Sequence, residues 1–463
     1  MVMRLGGRHI HFLGIGGIGT SALAAMALES GAIVSGCDIK GGPMADRLAA
    51  RGCRIQIGHD PVHLEGVELV VRSSAVPESN PEVQAALARH IPVITRARML
   101  ARMVADRRLV AVSGTHGKTT TTWMLAKLLL EARHDPSVMV GGVVDELGGN
   151  YRLGSGSCFV VEVDESDGSL LEFRPDFSIV TNLDLDHVDH YPDLAAVQAV
   201  FRRYVARTRS GGCVIMCADS LPALGALDGW TGHLITYGFA ETADFQAVNL
   251  RLEPEASTFD VRRPDGSLPD LRLALPGKHN VQNALAAVAL AWTLGLDDAV
   301  VRRALDSLSG VRRRLEVKGI VAGVKVLDDY GHHPTEIRAL IPSARRLTSG
   351  RLVAVFQPHR YTRTASLAAE FGGCFEGLDL LVILPIYSAG EEPIEGVTSE
   401  LIARAVEAHG SPPCVCHDDF DSARSFLIGQ LQPGDSLLTI GAGDVYRLGE
   451  QLLADLGRQE GKA

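Results

Sequence analysis

"VAVSGTHGKTTTTWMLAKLL", residues 110–129, carries an apolar run into a glycine-bounded turn, a lysine, four threonines and then a helical pattern. The glycines let the backbone curl so that several N–H groups face one anion. Lys118 adds a point charge, and Thr119 or Thr120 can offer a hydroxyl to Mg²⁺. The helix behind the turn directs its positive end at the same spot. The strict Walker spacing has glycine where Val112 stands, so this is a variant whose first glycine is Gly114. The plainer reading is a turn that only caps a helix. A Lys-Thr-Thr run at the strand-to-helix junction argues against it.

A second such loop lies almost a hundred residues earlier, in "HFLGIGGIGTSALAAM", residues 11–26. Gly14, Gly16 and Gly19 complete a G-x-G-x-x-G between strand and helix. Asp38 ends the next strand, about twenty residues on, where a dinucleotide fold places its ribose-binding acid. On that pattern alone NAD(P) is the leading occupant and a tight glycine turn the bland one. What the pattern establishes is a second helix N-terminus suited to a pyrophosphate. The chain therefore offers one site for a hydrolysable nucleotide with Mg²⁺ and one for a diphosphate-bearing molecule of another kind.

At 463 residues the chain is too long for a single core. Apolar residues make up 46% and charged residues 22%, as in an ordinary globular protein. The net charge of −10 leaves no basic footprint for nucleic acid or anionic lipid. Eight cysteines (Cys37, Cys53, Cys158, Cys213, Cys217, Cys374, Cys414 and Cys416) include no CxxC pair, which suits reduced thiols in the cytoplasm. Cys414-Val-Cys416-His417 lacks a second pair at zinc-ligand spacing. Residues 9–28 resemble a signal peptide in hydropathy, but the ordered glycines fit strand–turn–helix better. No apolar run reaches about 18 residues, so no membrane span is expected.

Short apolar runs at 9–14, 32–38, 54–58 and 68–74 alternate with helical patterns at 18–30 and 81–89, the rhythm of a parallel sheet with covering helices. A new unit starts near 107 and has strands at 107–114, 158–164, 177–183 and 212–218. It continues into an antiparallel patch at 243–275, with hairpin chemistry at 262–270 and helices at 279–294 and 297–308. The polar, basic stretch 308–319 reads as a hinge. Beyond it the rhythm resumes with strands at 324–330, 351–357, 378–385 and 435–443. Three α/β domains are expected.

In this order and spacing, "GIGGIG" at 14, "SGTHGKTTTT" at 113, "EVDESD" at 162, "NLDLDHVDHY" at 182, "HNVQNALAA" at 279, "GVRRRLE" at 310, "DDYGHHPTEI" at 328 and "FQPHRYTRT" at 356 resemble the Mur ligases over essentially the whole chain. The resemblance implies an N-terminal Rossmann-like domain (1–106) for a UDP-sugar, a central P-loop ATPase-type α/β domain (107–311) and a C-terminal Rossmann-like domain (312–463) for an amino acid. It implies an ATP- and Mg²⁺-dependent amide ligase of peptidoglycan precursor synthesis. By that resemblance ATP would phosphorylate the lactyl carboxylate of UDP-N-acetylmuramate, and L-alanine would attack the acyl phosphate. A monomer or weak homodimer is expected, with no nucleic-acid or membrane partner.

The resemblance also implies roles. Gly114, Thr115, His116, Gly117, Lys118, Thr119 and Thr120 would hold the ATP phosphates, Asn280 and Asn283 the adenine and ribose side, Arg314 the phosphates, and Asp329 the ribose. Thr119, Glu162 and His187 would bind magnesium. Tyr330 and His332 would frame the amino-acid pocket, and Arg360 and Arg363 would clamp its carboxylate and steady the transferring phosphoryl group. Lys118, Glu162, His187, His332, Arg360 and Arg363 form the catalytic set. The UDP-sugar falls to Gly14, Ile15, Gly16, Gly17, Ile18, Gly19, Asp38, Ser73 and Ser74. Leu315 replaces a customary aromatic, Thr20 a customary methionine. Relatives that use a carbamylated lysine carry it downstream of the 182 motif, where this chain has Arg202, Arg203 and Arg207.

Taken alone, several of these residues have plain structural readings. Asn280 could be an N-cap, His187 a buried core histidine, 162–167 a solvated acidic loop, and each arginine a surface charge. Among other functions, a sister ligase that attaches a preformed tripeptide to the same UDP-sugar is the alternative, although its first loop usually departs from "GIGGIG". An NAD-dependent oxidoreductase with an accessory ATP site would leave Glu162, His187 and the arginine pair without a role. A silent nucleotide sensor would not need the full set of charged positions.

Overall fold

The computed structural model describes residues 5–460 apart from Asp189 and Ser411. In the N-terminal sheet the parallel strands run in the order Arg54–Ile57, Ile33–Asp38, His9–Leu13, Leu69–Arg72, Val93–Thr95. The chain winds outward to one side of His9–Leu13 and then to the other. That order opens a crevice beyond the carboxyl ends of His9–Leu13 and Leu69–Arg72, where the loops part. Gly14 and Ser73 stand at those two ends, and a Cβ on Gly14 would lie 3.0 Å from Ser73 Cβ.

In the next sheet His233–Gly238, Cys213–Cys217, Phe177–Val180, Arg108–Ser113, Cys158–Glu162 and Ser137–Val144 run parallel, edged by the antiparallel Gly149–Arg152. Leu109–Ser113 and the whole of Phe177–Val180 are buried, which explains why both read as continuous apolar runs rather than alternating ones. Phe245–Leu252, Ser257–Arg263 and Gly266–Leu273 form the antiparallel patch expected at 243–275, turning at Pro264-Asp265.

The C-terminal sheet runs Glu316–Val321, Val324–Asp329, Ser436–Ile440, Leu352–Phe356, Leu380–Ile383, Cys414–Cys416, antiparallel at the first pair and parallel beyond. Side chains alternate between faces along a strand. Accordingly Leu352, Ala354 and Phe356 enter one core with Ile337, Ile341, Phe371 and Phe375. Val353 and Val355 enter another with Leu427, Val445, Leu448 and Leu452.

Two expectations change. Part of the hinge read at 308–319 is a strand, Glu316–Val321, paired with Val324–Asp329. Its partly exposed edge position gives it the polar composition of a linker. The hairpin Ser137–Val144/Gly149–Arg152 went unread because Gly141 and Gly142 interrupt the strand pattern. Of the cysteines six are buried, Cys414 is half-buried and Cys416 is exposed. Among the described residues, no helix is long and apolar enough to cross a membrane.

By contact the chain divides into two units. One takes the residues up to Leu183 with Gln198–Tyr237 and Ala286–Val301. The other takes Asp184–Val197, Gly238–Leu285 and the residues from Arg302 onward.

Gly36 shows how closely the first loop is packed. A Cβ there would meet Ile15 Cδ1 at 2.5 Å and the Phe12 carbonyl oxygen at 2.6 Å, and the backbone atom cannot rotate away. Gly36→Ala is expected to lower stability by about 2 kcal/mol through overpacking. An unchanged urea midpoint would show that the strand and loop separate freely.

Candidate active site

In the first unit the strand Arg108–Ser113 ends at Gly114 and the helix Lys118–Glu131 begins four residues later. Gly117, at φ +79°, lets the chain turn into the helix. The segment after Phe177–Val180 shapes the loop. Asn182 O accepts from Thr115 N at 3.0 Å, Asn182 Oδ1 accepts from His116 N at 2.8 Å, and its Nδ2 donates to His116 O at 3.0 Å. Thr181 Oγ1 donates to the same carbonyl at 2.6 Å. The first helical bond runs from Thr121 N to Gly117 O at 3.0 Å, and no side chain caps the end. The amides of Lys118, Thr119 and Thr120 therefore precede the helical ladder and face the anion position. This differs from a cradle built by every loop amide, since those of Thr115 and His116 are committed to Asn182.

Lys118 Nζ folds back over the loop, donating to Gly114 O at 2.7 Å, Thr115 O at 3.0 Å and Glu165 Oε1 at 2.8 Å. Burial opposes its charge, yet Glu165, Asp164 and Glu162 outweigh that and hold its pKa above the ordinary value. Burial pushes Glu165 up to about 7, an effect that Lys118 offsets only in part. Glu162 ends the neighbouring strand, and its Oε2 accepts from Gly141 N at 2.8 Å. A Cβ on residue 141 would lie 2.5 Å from that oxygen, so only glycine leaves the carboxylate room.

The earlier cup, also in the first unit, is built differently. Gly14 N and Ile15 N donate to Cys37 O at 2.9 and 3.1 Å. Asp38 Oδ2 accepts from Gly16 N at 2.9 Å, so that amide is bonded within the protein. The helix Ile18–Glu29 follows Gly17 with no side-chain cap, and its first bond is Ser21 N to Gly17 O at 2.8 Å. The amides of Ile18, Gly19 and Thr20 are the ones presented. Arg96 packs on Gly19, where a Cβ would stand 2.7 Å from its Nη1. Half-buried Ser73 borders Gly14 and its Oγ accepts from Ala75 N at 3.4 Å, while Ser74 beside it is exposed.

In the second unit Asp186 gathers several predicted residues. Arg363 donates to its Oδ1 from Nε at 3.0 Å and from Nη2 at 2.7 Å. His187 Nε2 and His332 Nε2 lie 3.8 and 3.9 Å from its Oδ2. Burial works against that carboxylate's charge, but Arg363 and then His187, His332 and His333 hold its pKa well below the usual range. Arg360 precedes the helix Tyr361–Phe371 at φ +74°, a strained conformation for a residue with a side chain. Glu391 lies 3.7 Å from Arg360 Nη1 and accepts from Thr362 N and Oγ1.

Tyr330 lies beneath two guanidiniums, with Arg313 5.0 Å and Arg314 5.3 Å from its ring centre. Both Asp329 oxygens accept backbone amides, from Leu315 at 2.7 Å and Gly331 at 2.7 Å, and burial raises its pKa to about 6. A sugar hydroxyl would have to share that carboxylate. Asn280 and Asn283 sit one turn apart at the start of the helix Lys278–Thr293. Asn280 Nδ2 donates to Pro276 O at 2.7 Å, so it lies inside the first turn rather than capping it.

With this geometry in place, comparison with known proteins is decisive. Three family profiles cover the chain in order: Mur ligase family, catalytic domain, over residues 9–108; Mur ligase middle domain over 112–291; and Mur ligase, glutamate ligase domain, over 313–443. The chain belongs to the Mur ligase family. It is 45% identical to a UDP-N-acetylmuramate–L-alanine ligase of Desulfosudis oleivorans, across 98% of this chain and 99% of that one. The protein of the same name from Solibacter usitatus is 44% identical, across 98% and 96%. Among solved structures, UDP-N-acetylmuramate–alanine ligase from Thermotoga maritima matches with a TM-score of 0.83 at 28% identity, covering 98% of this chain and all of that one. A murein peptide ligase from Psychrobacter arcticus reaches 0.74 at 28%, covering 97% and 99%.

In this Mur ligase the sequence reading missed Glu165, Asn182, Asp186, Glu391 and Arg96. The first three lie within quoted motifs, but nothing local names their partners. His332 and His359 face each other in the second unit, with ring centres 5.8 Å apart. Burial, then the charge of Arg363, pushes His332 down to about 4. Burial, then His332 and Arg363, pushes His359 to about 3. Both groups have folded pKa values below the ordinary 6.5, so between pH 6.5 and about 4 the unfolded chain takes up protons that the folded chain refuses. Stability should therefore decline as pH falls through that window. Urea midpoints from about pH 7 to about pH 4.5 are expected to drop, and less steeply for His359→Gln. Equal slopes would remove His359 from the account.

Proposed function

We propose that this chain joins L-alanine to the lactyl carboxylate of UDP-N-acetylmuramate with ATP, in cytoplasmic peptidoglycan precursor synthesis, through domains spanning 1–106, 107–311 and 312–463. One observation carries this reading. The helices Ile18–Glu29 and Lys118–Glu131 each start without a side-chain cap behind a glycine turn that leaves a buried strand, and of these two the second has a lysine folded into its turn. A diphosphate that is merely held needs amides and a guanidinium such as Arg96. A γ-phosphoryl group in transit needs an added positive charge, because its transition state spreads charge over the transferring oxygens. The full-length similarity to alanine-adding ligases supports the same substrates.

In the reaction a carboxylate oxygen of the sugar's lactyl group attacks the γ-phosphorus and ADP leaves. The amine of L-alanine then attacks the acyl carbon, phosphate leaves, and the nitrogen sheds its protons. Lys118 and the amides of Lys118, Thr119 and Thr120 would hold the terminal phosphates. Thr119 offers a hydroxyl and Glu162 a carboxylate, the oxygen donors that a hard cation takes, and family resemblance alone assigns His187 to magnesium as well. Bound there, Mg²⁺ would neutralise charge on the phosphoryl oxygens. His332 would frame the amino-acid pocket, where burial keeps its ring neutral and so spares the incoming amine a like charge. Arg360 and Arg363 match the alanine carboxylate. For Arg363 this requires exchange or sharing with Asp186.

ADP should appear only when UDP-N-acetylmuramate, Mg²⁺ and L-alanine are all supplied. Turnover with a preformed tripeptide in place of alanine would assign the sister activity instead, and turnover without the sugar nucleotide would end the proposal. Lys118→Ala is expected to cut kcat by roughly 10²-fold or more while leaving UDP-N-acetylmuramate binding intact by calorimetry. Joint loss of both would mean that the two anions share one site.

A further inference from the structure

Beneath the first glycine loop, side chains that the ligase chemistry leaves unused converge on one buried carboxylate. Glu82 has no exposed side-chain surface. Its Oε2 accepts from His11 Nε2 at 2.9 Å, and its Oε1 accepts from His63 Nδ1 at 3.0 Å, Asp60 N at 3.0 Å and the Cys37 thiol at 3.2 Å. Burial opposes its charge, but the bonds from His11 and Cys37 hold its pKa down at about 2, so each imidazole nitrogen facing it is the donor. One atom from each of His11, Cys37, His63 and Glu82 lies within 4.8 Å of all the others.

We propose that His11, Cys37, His63 and Glu82 form a structural metal site whose occupant is Zn²⁺. A thiolate, two imidazoles and a carboxylate are a zinc donor set, and tetrahedral bonds to them separate the ligand atoms by roughly 3.3–3.6 Å. The contacts to Glu82 already span 2.9–3.2 Å, so a small outward movement admits the ion. Charge favours occupancy. One thiolate and one carboxylate cancel the dication and leave a neutral buried cluster, whereas Glu82 otherwise relies on imidazoles for any countercharge. On binding, each imidazole proton that faces Glu82 moves to the other ring nitrogen (for His11 the one that bonds Ser35 Oγ) or is released, the Cys37 S–H bond gives way to S–Zn with release of its proton, and no oxidation state changes.

The surroundings support a built site. His11 Nδ1 bonds Ser35 Oγ at 2.8 Å and His9 Nε2 bonds the same oxygen at 2.9 Å, which fixes the His11 ring with Nε2 aimed at the cluster. His63 and His59 retain 12% and 17% side-chain exposure and mark the entry side. His59 Nδ1 lies 3.2 Å from Cys37 Sγ as a further partner. The ligands come from the strands His9–Leu13 and Ile33–Asp38, the short helix Pro61–Leu64 and the helix Pro81–Ala88. Because Cys37 O accepts Gly14 N and Ile15 N, an ion at Cys37 would brace the glycine loop.

The test uses the full-length protein in a Cys416→Ser background, which removes the exposed thiol. Stoichiometric Co²⁺, added alone, should give tetrahedral d–d bands and a thiolate-to-cobalt charge-transfer band, release a proton, and be displaced by Zn²⁺. Cys37→Ser should abolish the charge-transfer band, and His63→Asn should weaken Co²⁺ binding by roughly tenfold or more. His63 reaches solvent, so its variant still reports if Cys37→Ser fails to fold. No band with stoichiometric Co²⁺, a band that persists in Cys37→Ser, or unchanged affinity in His63→Asn would overturn the proposal in favour of a metal-free hydrogen-bonded network. None of these readouts depends on which amide the enzyme forms.

Discussion

The backbone at Gly114 passes so close to its neighbour that any side chain would overlap Thr181 Oγ1 and approach Asn182 O to 2.9 Å, at a φ of +133° that L-residues rarely adopt. This closeness lets Asn182 reach both the N–H and the C=O of His116. It fixes where the helix Lys118–Glu131 begins and so where its uncapped amides point. The charge of Lys118, the reach of Glu162 and the burial of Glu165 all presuppose that placement.

The two cups solve one geometric problem with different electrostatics. The first is lined by Asp38, which accepts the Gly16 amide, and by a guanidinium packed on Gly19. That arrangement offers amides and a guanidinium but no ammonium inside the turn. The second places an ammonium within bonding distance of two loop carbonyls and an acid. The first suits a ligand to be retained, the second a ligand whose charge must move.

Much of this was legible in the sequence because it is local. A glycine turn between a strand and a helix spans a few residues, and the buried strands Leu352–Phe356 and Phe177–Val180 are apolar on both faces. What escaped is set by tertiary approach. Glu165 lies 47 residues from Lys118, and Asp186 lies 177 from Arg363. No periodicity encodes those meetings. Gly141 reads as a strand breaker, yet its missing side chain gives the Glu162 carboxylate its position. Glu316–Val321 reads as linker because a sheet edge, like a linker, faces water. Asn280 was open between cap and ligand, and only the position of the helix start rules the cap out.

Lys118 already has three oxygen partners before any nucleotide arrives. On the proposed function, a triphosphate entering the cup would trade those partners for its own oxygens, so the lysine would contribute to ground-state affinity only the difference between two well-coordinated arrangements. Its full advantage would emerge when negative charge accumulates between the separating groups, where a carbonyl or a partly protonated acid is a poor substitute. A group arranged in this way adds little to adhesion and much to speed, and it spares the resting enzyme an exposed cation that would attract every passing anion.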